Sequence, residues 1–289
     1  MIAVSAKRVS SAEPSWLSPD EQQFFEINGF LTLDQMTGAA DVWLIRQELE
    51  ALFARQAGYN EGALYDMAGD ETDPDNPRLP QLAGPERYAP ILRQTDFYRN
   101  AKRIAQEVLG PNVRLTQSHC IVKPPGSQSI TPWHQDEAFG DPARTYNEIN
   151  FWLALQPVNT ENGCMRYIPG SHLGPVVPHV PADGKGNVHA LDCSVAIDPS
   201  LAVDCPLPAG GCVLHKTRTV HGAGANMTDQ PRWAYVLVFG LPPTPNDTGR
   251  QFPWQSERFS PRDQRRRAWL WRGGIFIAAW RKLRNRLFG

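Results

Sequence analysis

Cysteine is scarce in this chain and poorly placed for its usual roles. Five occur, at positions 120, 164, 193, 205 and 212, and no two form a Cys-x-x-Cys pair. That odd number and that spacing exclude a zinc knuckle and speak against a secreted disulfide framework. An excess of one charge is also lacking, with 29 Lys and Arg against 30 Asp and Glu, so nothing global suggests nucleic acid. No window approaches the run of about eighteen apolar residues that a spanning helix needs. The opening Met-Ile-Ala-Val-Ser-Ala-Lys-Arg has no apolar stretch of the signal-peptide kind. These absences together point to a reducing, cytoplasmic setting.

What is present is a length of 289 residues with nine tryptophans and 26 prolines. Such a chain can bury a large core, as one big β domain or two modest ones. The proline content favours a loop-rich globular protein with broad pockets over a helical bundle.

The first hundred residues read as helical. Ser18-Pro19-Asp20-Glu21 places a Ser cap, a first-turn Pro and a Glu three residues after the cap, which together start a helix. Gly29 ends it, and Phe30–Leu33 suits a short strand. Val42, Ile45, Leu49 and Leu52 fall at helical spacing within Ala39–Gln56, and a third helix is expected from about Asp96 to Leu109. Between them, Tyr65 to Pro77 carries Asp66, Asp70, Glu71, Asp73 and Asp75 and no basic residue. It reads as a solvated loop or as a lid beside the active site.

After Pro111 the texture changes to short β-rich runs separated by Gly, Pro and Asn. Val113–Lys123, Glu148–Leu155, Met165–Ile168, Cys212–His215 and Arg232–Leu241 are the expected strands. Trp233 to Phe239 is apolar on both faces, as a central sandwich strand should be. Helices followed by strands imply an α+β protein whose sheets form a sandwich or open barrel. The expected layout is an extension over 1–16, a single domain over 17–260 (helical part 17–110, β core 111–245) and a tail over 261–289.

That tail holds nine Lys and Arg between Arg262 and Gly289 against the single acid Asp263. Trp269, Phe276, Trp280, Leu283 and Leu287 draw an apolar stripe at helical spacing, weakened by Gly273-Gly274. The stripe is expected either to dock on its own domain or to contact a membrane surface or partner. In the second case deletion after Phe259 should leave turnover intact. Nothing in the sequence specifies an oligomeric state.

The chemistry-bearing stretch is Trp133-His134-Gln135-Asp136 with His221 and Arg232 nearly a hundred residues on. His and Asp two apart on a strand point to one side. With a distant histidine they form the two-histidine, one-carboxylate face of non-haem Fe(II) oxygenases, which leaves positions open. His-x-Asp alone recurs by chance, and a buried histidine is often only a satisfied core residue.

The surroundings sharpen the reading. Thr131-Pro132-Trp133-His134-Gln135-Asp136 resembles the metal motif of the phytanoyl-CoA dioxygenase family. Glu161-Asn162-Gly163-Cys164-Met165, Ile168-Pro169-Gly170-Ser171-His172, the run Gly210 to His215 and the run Thr219 to Asn226 are similar to further segments of that family, in its order. Leu17 to Glu21 with Asn28 to Leu31 resembles its N-terminal opening. The resemblance spans roughly residues 15 to 245.

It implies a double-stranded β-helix of the jelly-roll or cupin type with N-terminal helices packed on it, Fe(II), 2-oxoglutarate as cosubstrate, and O2. It implies His134, Asp136 and His221 as iron ligands, and Arg232, eleven positions after His221, as the partner of the 2-oxoglutarate distal carboxylate. Trp152 matches a position lining the cosubstrate, and Thr131 and Gln117 are further pocket-wall candidates. His172 and His215 read as structural. With Asp136 present, hydroxylation with release of succinate and CO2 is favoured over halogenation, while desaturation, epoxidation or ring formation would need only a different substrate pose. Phe139, Arg144 and Tyr146 are the candidate substrate contacts. A CoA ester would want basic residues at the mouth, for which Lys123, Arg144 and Arg166 are the candidates. The acidic Tyr65–Pro77 stretch leans instead toward a neutral, cationic or hydrophobic small metabolite.

Overall fold

The computed structural model describes residues 15–69, 71, 76–277, 279, 280 and 283. The first elements are α1 (Pro19–Asn28), β1 (Phe30–Leu33), α2 (Ala39–Ala54), β2 (Leu64–Asp66), β3 (Pro80–Ala83) and α3 (Asp96–Leu109). Next come β4 (Arg114–Lys123), β5 (Thr131–His134), β6 (Arg144–Thr145), β7 (Glu148–Ala154), β8 (Met165–Tyr167), β9 (Val180–Pro181) and β10 (Leu191–Asp192). The chain continues with β11 (Val203–Cys205), β12 (Cys212–Lys216), β13 (His221–Ala223), β14 (Arg232–Gly240), β15 (Thr244–Pro245) and α4 (Pro261–Trp269).

The start of α1 is a capping box. Ser18 Oγ accepts from Glu21 N at 3.2 Å, and the Glu21 carboxylate accepts from Ser18 N at 2.7 Å, so two otherwise orphaned donors are satisfied. Gly29 ends the helix at φ +79°, where a Cβ would stand 2.3 Å from His172 Nδ1. His172 in turn bonds the Glu26 carbonyl at 3.0 Å, which makes it the structural histidine the sequence suggests.

Two antiparallel sheets face each other. The larger has the order β1-β12-β7-β14-β4-β3-β2, the smaller β11-β8-β13-β5, and short pairs β9/β10 and β6/β15 flank them. Strand β14 is central, and its alternation explains its doubly apolar sequence. Trp233, Tyr235, Leu237 and Phe239 pack with residues of α1, α2 and α3 such as Phe25, Ile45, Leu49, Phe97 and Ile104. Ala234, Val236 and Val238 pack instead with Trp152, Met165 and Tyr167 between the sheets. The helices therefore cover one face of the large sheet and leave its other face for a cavity.

Three expectations change. The N-terminal hundred residues are not all helix, because β2 and β3 extend the large sheet beyond β4. These strands of three and four residues, one opening on Pro80, are too short to show a period. Strand β5 ends at His134, and Asp136 opens a 3-10 turn over Asp136–Phe139. Gln135 remains extended at φ −116°, ψ 130°, so the two side chains still reach one side. Lastly, the tail is no single helix, since Arg272 and Gly273 (φ +94°) break it after α4. Leu287 and most of the proposed lid's acids, Asp70, Asp73 and Asp75, lie outside the described residues. No helix among the described residues is long and apolar enough to cross a membrane.

Candidate metal centre and cosubstrate pocket

Strands β5 and β13 pair antiparallel with His221 opposite His134. That register sets the two imidazoles side by side, with ring centroids 4.2 Å apart. His134 Nδ1 lies 2.8 Å from the Pro132 carbonyl and His221 Nδ1 2.9 Å from that of Thr219. Each Nδ1–H is thus donated to a backbone oxygen two residues back, which turns each Nε2 toward the cavity as a ligand. Asp136 Oδ1 stands 3.6 Å from His134 Nε2 and 3.8 Å from His221 Nε2. One ligand atom from each of the three residues lies within 4.8 Å of the others.

The donor set fits a divalent iron, with two imidazole nitrogens and a carboxylate on one face. Burial and the adjacent His134 push the His221 imidazole well below its ordinary pKa, which keeps it neutral for ligation. Burial would raise the Asp136 carboxyl, yet the neighbouring His221 and His134 imidazoles and the hydrogen bond from His215 hold it well below the usual carboxylate range.

The motif is clamped from behind. Gln135 is fully buried. Its Nε2 donates to the Arg218 carbonyl at 2.8 Å, its Oε1 accepts from Val177 N at 2.8 Å, and its backbone N–H donates to His179 Nε2 at 3.1 Å. Glu137 receives a two-pronged Arg218 at 2.9 and 3.0 Å and a further bond from Arg250 at 2.6 Å. His215, read from sequence as structural, bonds the metal carboxylate directly. Its Nε2 lies 3.1 Å from Asp136 Oδ2, and Tyr167 donates its hydroxyl to Nδ1 at 3.0 Å.

Opposite the metal, the large sheet supplies the cavity floor. Alternate residues of β7 (Glu148, Asn150, Trp152), β14 (Arg232, Val236, Val238) and β4 (Gln117, His119, Ile121) line it. The registers Val236↔Trp152, Val236↔His119 and Val238↔Asn150 show that these form cross-strand rows. Burial pushes His119 down to about 4, so a neutral imidazole faces the site. Thr131 lines the cavity from the opposing sheet.

Arg232 is 1% exposed, and its guanidinium carbon lies 5.2 Å from the centre of the Trp152 ring. Burial lowers its pKa to about 10, which still leaves it charged at neutral pH. Its Nε and Nη1 are buried with no hydrogen-bond partner among the described residues. An unpaired buried guanidinium is costly. A carboxylate gripped by the fork removes that cost, so the residues present fit the distal carboxylate of 2-oxoglutarate. Asn226 ties the end of β4 to the loop that leads into β14, because its Nδ2 bonds the carbonyls of Lys123, Pro124 and Gln230 at 3.1, 3.1 and 2.7 Å.

The structure thus brings His134, Asp136, His221, Arg232, Trp152, Thr131 and Gln117 to one cavity. Phe139 and Tyr146 line it as well, with the Phe139 ring edge-on to His134 at 5.9 Å. Arg144 does not. It is exposed on β6 where that strand pairs with β15, so its side chain projects from a rim. Lys123 is buried with Nζ on the Ser129 carbonyl at 2.8 Å, and Arg166 pairs with Asp204 at 2.6 Å. None of these three basic residues lines the pocket. Sequence reasoning missed His189 and Arg262, which do line it, because neither stands in a motif.

The comparisons agree with this geometry. The phytanoyl-CoA dioxygenase family model matches residues 25–234. The crystal structure of EvdO2 from Micromonospora carbonacea var. aurantiaca, complexed with 2-oxoglutarate, is 34% identical with a TM-score of 0.72, covering 82% of this chain and 96% of that one. The peroxisomal phytanoyl-CoA dioxygenase of Rattus norvegicus is 27% identical over 233 residues, 78% of this chain and 68% of the relative. A probable alpha-ketoglutarate-dependent hypophosphite dioxygenase of Stutzerimonas stutzeri is 26% identical over 213 residues, 72% and 73% of the two chains. With the facial set and the unpaired Arg232 inside the matched span, the chain belongs to the phytanoyl-CoA dioxygenase family and is a non-haem Fe(II)- and 2-oxoglutarate-dependent oxygenase on a double-stranded β-helix.

Proposed function

We propose that the enzyme hydroxylates a C–H bond of a small metabolite. One oxygen atom of O2 enters the product and the other enters succinate as 2-oxoglutarate loses CO2. The observation that carries this reading is the convergence of His134, Asp136 and His221 on the cavity that also holds the unpaired Arg232. Iron with its bound cosubstrate supplies the oxidant. The chain supplies placement. Arg232 fixes the far carboxylate of the cosubstrate, Trp152 backs the guanidinium, and His134, Asp136 and His221 hold one face of the iron so that the other stays open. Asp136 fills the third ligand position, which favours hydroxylation over halogen transfer.

A succinate-release screen against a metabolite panel tests this, with His134→Ala as the blank. The expected result is succinate formed with one equivalent of product that has gained one oxygen atom. Turnover that continues unchanged in Arg232→Ala at all 2-oxoglutarate concentrations would show that the cosubstrate is not used. Protein that neither binds Fe(II) nor forms succinate with any substrate would instead be a silent binding scaffold.

A second role is supported by the tail. Trp271, Phe276 and Trp280 are 90%, 78% and 60% exposed in a segment rich in Arg and Lys, the composition of a peripheral contact with an anionic membrane surface. Cosedimentation of the full chain with anionic liposomes tests it, and no sedimentation ends it. The five buried free cysteines support a reducing, cytoplasmic setting.

A further inference from the structure

Beyond the family match, the chain folds back over the cavity and brings arginines to one end of it. Arg262, in the first turn of α4, lines the cavity wall with its side chain 17% exposed. Its guanidinium carbon lies 4.3 Å over the Tyr65 ring, and its Nη1 lies 3.0 Å from His189 Nε2. Arg258 sits beside it, over the Phe139 ring at 5.2 Å. Arg258 Nη1 donates to the His189 carbonyl at 2.9 Å, and its Nε is buried with no partner.

Acids only partly balance this cluster among the described residues. Asp263 accepts from Ser260 Oγ at 2.8 Å and pairs with Arg262 at 3.9 Å, and the same carboxylate also faces Arg258 and Arg266. Asp66, from the acidic stretch, is committed to four backbone N–H groups, those of Ala68, Gly69, Arg78 and Leu79. Glu71 is paired with Arg265. Inside the cavity Asp136 belongs to the metal, Glu137 to Arg218 and Arg250, and Glu148 lies on β7, four strands across the sheet from β2. Part-buried positive charge in excess of its counter-ions is unfavourable until an anion arrives.

We infer that Arg262 is the anion-binding residue of the substrate pocket, so that the substrate carries a carboxylate or phosphate. This rests on the hydroxylase reading and names its substrate class. Phe139 links the two ends of the site, with its ring 5.9 Å from His134 and 5.7 Å from His189. A small anion held at Arg262 therefore lays its carbon skeleton along Phe139 toward the metal. Arg232, buried at the start of β14, keeps the cosubstrate carboxylate, and the two arginines divide two anions between them. Of the negative stretch that suggested a neutral or cationic metabolite, the described acids Asp66 and Glu71 are both bound elsewhere.

Calorimetry on the full chain with Fe(II) and 2-oxoglutarate, without O2, tests the inference using benzoate and inorganic phosphate against benzamide. At least one anion is expected to bind about tenfold or more tightly than the amide, the strength of one charge-assisted contact. Arg262→Gln should erase that preference, Arg262→Lys should keep part of it, and 2-oxoglutarate affinity should stay unchanged in both. No anion preference, no binding of any probe, or a preference that survives Arg262→Gln would overturn it. So would a comparable loss of 2-oxoglutarate affinity, which would assign Arg262 to the cosubstrate. An anion preference that holds while no substrate yields succinate would defeat the hydroxylase reading alone.

Discussion

His215 donates from Nε2 to Asp136 Oδ2 at 3.1 Å, while Oδ1 of the same carboxylate faces the Nε2 atoms of His134 and His221 at 3.6 and 3.8 Å. The two oxygens are divided between one supporting bond and one ligand position. Such outer partners orient a ligand and raise its basicity, and their loss costs roughly 10–100-fold in metal affinity. His215→Phe should weaken Fe(II) binding by that order, and His215→Gln, which keeps an N–H donor, should recover part of it. Iron titration followed by succinate formation reads the effect. An unchanged iron affinity in His215→Phe would show that the bond does not matter to the metal.

Iron should stabilise the fold as well as equip it. A ligand at about 100 times its dissociation constant adds roughly 2.7 kcal/mol, which is several degrees in Tm for a domain of this size. Thermal melts with and without Fe(II) should show that shift in the wild type and none in His134→Ala. An equal shift in both proteins would place the stabilising ion elsewhere.

Much of the scaffold was readable because local rules and tertiary structure agree. The Ser18–Glu21 cap, the Gly29 stop and the doubly apolar β14 each follow from a residue pattern with one physical solution. The ligand set was readable because the resemblance supplied its order. What escaped notice depends on pairing at long range. Tyr65 and Gln81 face the cavity only because β2 and β3 add to β4. Nothing about position 215 in isolation shows that its ring ends on Asp136. Arg262 hid in a tail whose basic composition reads as a solvated face, although α4 packs near β2.

Arg232 is buried with two of its three guanidinium nitrogens unpartnered among the described residues, so its substitution should act on the cosubstrate before anything else. Arg232→Gln should raise the dissociation constant for 2-oxoglutarate by about 10- to 100-fold, the cost of losing charge-assisted hydrogen bonds, and leave iron affinity near the wild-type value. Arg232→Lys should fall between, since an ammonium cannot grip two oxygens at once. Binding of 2-oxoglutarate to the iron-loaded protein without O2 measures this. Equal affinity in Arg232→Gln would remove the residue from the cosubstrate site.

Acid should weaken the metal-free fold through its buried histidines. Burial pushes His179 down to about 4, and its Nε2 must stay unprotonated to accept the Gln135 N–H at 3.1 Å. The unfolded imidazole titrates near 6.5. Above that pH neither state holds the proton and stability is unaffected. Between about 6.5 and 4 only the unfolded state takes it up, so stability falls as pH falls, by about 1.4 kcal/mol per pH unit at most for one such group. Urea melts across that window should show the decline, and His179→Gln should make it shallower. A slope that His179→Gln leaves untouched would mean that other groups carry it.

Two truncations separate the roles of the tail. Deletion after Phe259 would spare turnover if the tail were only a membrane-surface helix, but that cut removes Arg262 and also Arg265, whose partner is Glu71. It takes away α4, which packs on the turn before β2, where a Cβ at Gly62 would meet the Arg262 carbonyl at 2.8 Å. Deletion after Phe259 should therefore raise the KM for substrate and lower Tm. Deletion after Trp269 keeps α4 and removes the segment that carries the exposed Trp271, Phe276 and Trp280, so it should leave turnover intact and abolish any liposome binding. Steady-state kinetics and sedimentation on the same two proteins read both effects. If the shorter protein kept wild-type KM, α4 would be dispensable to the pocket and Arg262 would lose its place in substrate binding.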